Sequence, residues 1–330
     1  MTDHPTPENE PAEPADPVHP DESTVAPPGG QQEYVPTPPR TVTPTPGPKI
    51  PTRTPLYEAM NAERYARQNL IRDIEKTTGT ALICYIAPNP QIERTDIVGI
   101  VDLLHNITPG TPIDLMLHTP GGNIDAAEKI ALLIRRRAGD APVRVIVPDY
   151  AKSAGTLIAL AANTILMSDS SELGAIDPQV EIPDSNGHPQ TLSAQSYLDA
   201  FHRHAKRLKK KPSDPVAQLM LGKMEPATVR KLERMITRSR SIAEALLGQS
   251  MVKDPERAAD IANELSDTER WHSHGQMISH HNARGLGLNI TYLAPHDDLW
   301  VMYWRLFSMQ LWAASGKVKL FESSWASLPM

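Results

Sequence analysis

A chain of 330 residues with one cysteine, 32 prolines and a formal net charge of −6 cannot rest on a disulfide framework, and its charge balance argues against nucleic-acid binding. Its first stretch differs from the rest: 16 of the prolines fall within residues 1–55, beside Glu, Asp, Thr and Gly and almost no large apolar side chain. Such a composition cannot bury enough surface to offset the entropy of ordering, so residues 1–55 are expected to form a disordered Pro-rich tail. The start, Met1-Thr-Asp-His-Pro, has neither the charge nor the apolar run of an export signal. With the lone thiol, this predicts a cytoplasmic protein.

Beyond the tail, the apolar residues follow two periods in turn. Residues 56–76 read as a charged helix. Thr80 to Ala87, bounded by Gly79 and Pro88, reads as a buried strand whose apolar run Ala81-Leu-Ile-Cys-Tyr-Ile86 holds Cys84 as a structural thiol. Helical spacing returns over 92–107, a strand follows at 113–118, and a helix at 123–137 sets Ile124, Ala127, Ile130, Ala131 and Ile134 on one face. After a strand at 143–147 come a small-residue helix at 152–162, a strand at 164–167 and a loop rich in Ser, Gly, Asp and Pro to about residue 190. Residues 194–265 read as a helical arm or lid, punctuated by Pro212, Pro215, Pro226 and Pro255. A last strand at 288–293 precedes a Trp-rich amphipathic helix and tail within 296–330. Strands and helices alternating at this spacing predict an α/β fold with a parallel sheet, residues 56–295 forming one domain.

Two segments carry chemistry. His118-Thr-Pro-Gly-Gly-Asn-Ile-Asp125 and Asp149-Tyr-Ala-Lys-Ser-Ala-Gly-Thr156 stand at the carboxyl ends of successive strands, where parallel sheets bind ligands ahead of helix N-termini. Glycines at 121 and 122 let the backbone take φ > 0 and approach a substrate, so an amide there can be aimed at a carbonyl. Ser153, between small residues at a helix start, is placed to attack that carbonyl. Either motif alone fits an ordinary turn or helix cap, with Ser153 as an N-cap; their succession about 30 residues apart favours a site.

His118-Thr-Pro-Gly-Gly, Ala151-Lys-Ser-Ala-Gly-Thr156 and Leu173-Gly-Ala-Ile-Asp-Pro-Gln179 together resemble the serine dehydrogenase proteinase family, relatives of signal peptide peptidase A and of ClpP. The resemblance covers roughly residues 80–295. It implies a ClpP/crotonase-like fold with a parallel sheet of repeated ββα units, hydrolysis of peptide bonds in a peptide or protein substrate, and a homo-oligomer with no cofactor. It also implies Ser153 as nucleophile and an oxyanion hole at Gly122 and Ala154, with Gly121 beside them. Ala175 stands where the family more often shows proline, which bears on loop stiffness.

The base stays open at this level. Ala175-Ile-Asp-Pro178 has no histidine where ClpP carries one, and signal peptide peptidase relatives use a Ser-Lys dyad. That resemblance implies Lys211 as base, with Lys206, Lys209 and Lys210 as neighbours and Lys223 as an outlier, although a run of four lysines also reads as a solvated helix face. A lysine base requires burial to lower its pKa. Asp177 reads as a substrate or lysine-orienting group, or as a turn cap. Lys152 reads as structural.

His272, His274, His280 and His281 lack acidic or cysteine partners at zinc spacing apart from Glu269, so they read as a turn and no metal is expected. Trp300, Trp304 and Trp312 read as one helical stripe in a core or subunit contact, a membrane-surface role being the lesser reading. Two alternatives to a peptidase stand: a crotonase-like acyl-CoA enzyme, and a catalytically inactive oligomeric scaffold whose tail recruits partners through Pro36-Thr-Pro-Pro39.

Overall fold

The computed structural model describes residues 54–183, 186–315 and 318–330. The expected disordered tail lies outside the described residues up to residue 53. The first helices, α1 (Pro55–Met60) and α2 (Ala62–Thr78), break at Asn61, and α2 ends on Gly79, whose φ of 71° is the left-handed stop that glycine permits. Then come β1 (Ala81–Ile86), α3 (Asp96–His105), β2 (Ile113–His118), α4 (Ile124–Ala138), β3 (Val143–Ile146), β4 (Tyr150–Ala151), α5 (Ala154–Leu160), β5 (Thr164–Met167) and β6 (Glu172–Leu173). A hairpin of β7 (Gln179–Pro183) and β8 (Pro189–Ser193) occupies part of the stretch read as loop. Four helices follow, α6 (Ala194–Lys210), α7 (Pro215–Gly222), α8 (Pro226–Gln249) and α9 (Pro255–Leu265), the last three opening on proline where its missing N–H costs nothing. The chain closes with α10 (His280–Gly285), β9 (Ile290–Tyr292), α11 (Asp298–Ala314), β10 (Leu320–Ser323) and β11 (Ser327–Pro329).

Seven strands form one sheet in the order β11-β10-β1-β2-β3-β5-β9. Its five strands from β1 to β9 are parallel, as the alternation of strand and helix requires, while β10 and β11 run antiparallel at one edge. The strand expected to be last, β9, therefore closes only one edge. Residues 296–330 are not a separate tail, because β10 pairs along β1 from Ile83↔Ser323 to Ile86↔Leu320.

Both faces of the central strands are buried, and their side chains alternate between two cores. Ile83, Tyr85, Leu115 and Leu117 pack under α3, α4, α5, α9 and the C-terminal half of α8. Leu82, Cys84, Ile86 and Met116 pack under α2 and α11. The expected arm is thus split: α6 and the first half of α8 form a small cluster of their own around Leu198, Leu232 and Ile236, whereas α9 belongs to the main core. On α11 the three tryptophans do not make one stripe. Between Trp300 and Trp312 the helix turns through about 120°, so the buried arc of Trp300, Tyr303, Phe307 and Gln310 leaves Trp312 80% exposed. Among the described residues no helix is long and apolar enough to cross a membrane.

Candidate active site

A second, two-stranded parallel sheet of β4 and β6 stands at the carboxyl ends of the main strands. Single bridges extend it, Thr119↔Ala151 on one side and Leu173↔Ile278 on the other. Four segments far apart in sequence are thereby aligned: the Pro-Gly-Gly turn, the serine turn, the loop of Asp177 and the segment that follows His274. That alignment decides which side chains meet.

Ser153 sits on a sharp turn between β4 and α5 with φ 51° and ψ −116°, one of two non-glycine residues at positive φ among the described residues. The surroundings hold this sparsely populated geometry in place. The Gly155 N–H donates to the Lys152 carbonyl at 2.7 Å, and the Thr156 hydroxyl donates to Ala151 O at 2.8 Å while accepting from Gly174 N–H at 3.0 Å. Gly155 must be glycine, since a Cβ would stand 2.5 Å from the Thr119 methyl.

The Pro-Gly-Gly turn packs against the serine. Gly121 has φ 100°, and a Cβ there would lie 2.7 Å from Ser153 Cβ. Its N–H donates to Thr119 Oγ1 at 3.2 Å and its carbonyl accepts from Ile92 N at 2.7 Å, so Gly121 supports the turn and has no free amide for an oxyanion. This corrects its assignment to the oxyanion hole. The N–H groups of Gly122 and Ala154 have no acceptor among the described residues. Ala154 opens α5, where backbone N–H groups are left free by the helix geometry.

Ser153 and Gly122 open into a cleft of about 600 Å³, walled also by Ile124, Gln179, Met235 and His274. His274 Nδ1 lies 2.7 Å from Oδ1 of Asp177. That carboxylate is 3% exposed, and its Oδ2 accepts from Gln179 Nε2 at 2.7 Å. An aspartate accepting at Nδ1 sets the tautomer with the proton on Nδ1, leaving Nε2 as the basic nitrogen. Behind the pair, Lys152 is ion-paired with Glu172 at 2.9 Å and donates to the carbonyls of Leu173, Gly275 and Gln276 at 3.3 to 3.4 Å.

The lysines expected as bases are not brought here. Lys206, Lys209 and Lys210 lie exposed on α6, Lys211 caps that helix and Lys223 caps α7, both exposed, and none walls the cleft. Water keeps such ammonium groups solvated, so the burial that a lysine base requires is missing. The group that is brought here, His274, reads in the sequence as part of a turn, with metal binding as the lesser alternative. Its available signal was a polar His-Gly turn ahead of a strand, with a Pro-flanked aspartate upstream, and nothing local links the two. The other histidines go elsewhere. His280 lies tilted against His281 with ring centroids 4.0 Å apart and stacks on Tyr292 at 4.5 Å, and no three His, Cys, Asp or Glu among the described residues form a metal-holding group. His118 is buried at the end of β2, where burial pushes its pKa down to about 4.

The model of a family described as ClpP-like SDH-type serine proteinases matches residues 54–311. The chain belongs to this family. Among its relatives, the uncharacterized protein MJ1495 of Methanocaldococcus jannaschii is 30% identical over 237 residues, which are 68% of this chain and 71% of that one. The uncharacterized protein MJ0137 of the same organism is 55% identical over 69 residues, 21% of this chain and 23% of that protein. Similar solved structures include the membrane-bound stomatin-specific protease 1510-N, at 18% identity with a TM-score of 0.38 over 62% of this chain and 75% of that one. ClpP1 from Listeria monocytogenes has 16% identity and a TM-score of 0.36, over 71% of this chain and 99% of that one. In this ClpP-like proteinase, the described residues that wall the cleft include no carboxylate.

Proposed function

We propose that the chain is a serine peptidase that cleaves peptide bonds through an acyl-enzyme, with Ser153 as nucleophile, His274 as general base and Asp177 as the group that orients the base. The observation that carries this reading is that Ser153 and His274 wall one cleft while Asp177 holds the histidine from behind at 2.7 Å. His274 Nε2 takes the Ser153 hydroxyl proton as Oγ attacks the carbonyl carbon. The developing oxyanion accepts from the amides of Gly122 and Ala154, a role supported by their having no other acceptor among the described residues. Asp177 stabilises the imidazolium, whose Nε2 proton then passes to the leaving amine; water, deprotonated by the same nitrogen, releases the acid product. The reading carries with it a homo-oligomer acting in the cytoplasm, which sedimentation of the full chain and cell fractionation test.

A fluorophosphonate probe tests the machinery. Wild type is labelled and Ser153→Ala is not; labelling slows about 10³-fold or more in His274→Ala, less in Asp177→Asn, and is unchanged in Lys211→Ala. Labelling that survives His274→Ala but is lost in Lys211→Ala would restore the Ser-Lys dyad. A folded wild type that takes no label would leave the scaffold reading.

A further inference from the structure

The cleft does not end at Met235. A second groove of about 660 Å³ shares Ile124 and Met235 with it and runs along α8 toward the N-terminus of that helix. Its wall carries four cations, Arg230, Lys231, Arg234 and Arg238, against one carboxylate, Asp125. These positions follow helical spacing of three and four, so they share one face of α8. Arg238 is engaged with Asp125 and Glu128 of α4, and Arg230 with Glu233 at 3.0 Å. Lys231 and Arg234 are exposed and have no ion-pair partner among the described residues.

Two unpaired cations in a groove that continues the catalytic cleft form a site for negative charge on whatever fills that cleft. We infer that this groove binds acidic residues of the substrate, so that the peptidase prefers polypeptides carrying Asp or Glu next to an apolar segment. This specificity rests on the peptidase reading above. The apolar part follows from Ile124 and Met235, which wall both cavities. The reach follows from helix geometry: Lys231 lies one turn from Met235, about 6 Å along the axis, which an extended peptide spans in about two residues. Lysine and arginine on a solvated wall act mainly by complementary potential, which speeds encounter and weakens as salt screens it.

The test uses the full chain and fluorogenic peptides with one apolar centre, flanked two to four residues away by a pair of Glu, Gln or Lys. For wild type in low salt, kcat/KM should rank Glu above Gln above Lys, with about a tenfold spread carried by KM and reduced in 0.5 M salt. Lys231→Glu/Arg234→Glu should reverse the ranking, and the neutral Lys231→Gln/Arg234→Gln should flatten it, with fluorophosphonate labelling of Ser153 unchanged in both. A wild type that is labelled and cleaves all three peptides equally overturns the groove and leaves the peptidase standing. Should no peptide be cleaved, anisotropy of the labelled peptides on Ser153→Ala decides the groove separately: tighter binding of the Glu peptide, lost on reversing residues 231 and 234, supports it, and equal binding overturns it.

Discussion

The ammonium of Lys152 donates to the carbonyl of Gly275 at 3.4 Å, tying the residue before the serine to the residue after the histidine. Its side chain is 12% exposed, and the Glu172 carboxylate neutralises it at 2.9 Å. The lysine next to Ser153 in sequence is thus placed to position His274, the proposed base. Lys152→Met should lower kcat about 10- to 100-fold through misplacement of His274, with KM changed by less than about threefold. Lys152→Arg should recover part of the loss, because it keeps the charge and the donors. Steady-state kinetics beside a melting curve separates this from a purely structural role, which would lower the melting temperature and leave kcat intact.

Gly121 is packed so tightly on Ser153 that a methyl group there has no room. Gly121→Ala should cost ~1–3 kcal/mol in stability and abolish fluorophosphonate labelling, because the displaced turn carries the Gly122 amide with it. Gly139 is the control: its φ is 58° but nothing lies within 4 Å of a Cβ. Gly139→Ala should cost ~1–3 kcal/mol from backbone strain alone and leave labelling unchanged. Denaturant titration and probe labelling of the two variants give the comparison.

His118 makes stability depend on pH. Its Nδ1 is 3.8 Å from Asp149, but that carboxylate is 40% exposed and its own pKa is raised by burial, so the loss of hydration dominates and holds the imidazole neutral. Above the ordinary histidine value of 6.5 both folded and unfolded chains are neutral there, and the group is silent. As pH falls through 6.5 the unfolded chain takes up the proton first, and stability declines until about pH 4. The whole fall is about 3 kcal/mol. Urea midpoints measured between pH 7.5 and 4.5 should decline with pH in wild type and decline less in His118→Gln.

Glu322 is fully buried on β10 and accepts from Arg67 at 2.9 Å, Gln310 at 3.0 Å and Ser327 at 2.7 Å. Glu322→Ala strands the buried guanidinium and should destabilise the fold by ~3–5 kcal/mol. Arg67→Met/Glu322→Leu should regain most of that, since an apolar pair of similar volume leaves no uncompensated charge. Urea unfolding of the three proteins measures the difference.

Cys84 lies within the same buried sheet, and burial pushes its thiol pKa up. A thiol-specific chromogenic reagent should therefore find no reactive cysteine in the native protein and one after unfolding.

Much of this molecule was legible in the sequence where the cause is local. β2 and β5 fall on their expected residues because a short apolar run between turn formers can satisfy its backbone only as a buried strand. Gly122 and Ser153 stood out for the same reason: glycine sterics and a helix start act within a few residues. Lys211 misled because a resemblance in spacing carries no information on burial, and the three successive lysines 209–211 at a helix end turn to water. Trp312 misled because tryptophan suggests burial, while helix rotation puts it on the open side of α11.

By itself, the sequence determined the alternation that makes a parallel sheet and the glycine and serine turns at its carboxyl edge, since both follow from contacts between near neighbours. Only the tertiary structure decided that β10 returns to pair with β1 and that Asp177 meets His274 across a sequence separation of 97. Such pairings are set by which elements pack and in what register. They leave no periodicity in either partner, so the meeting of Asp177 and His274 becomes visible only when the small β4–β6 sheet draws the distant segments together.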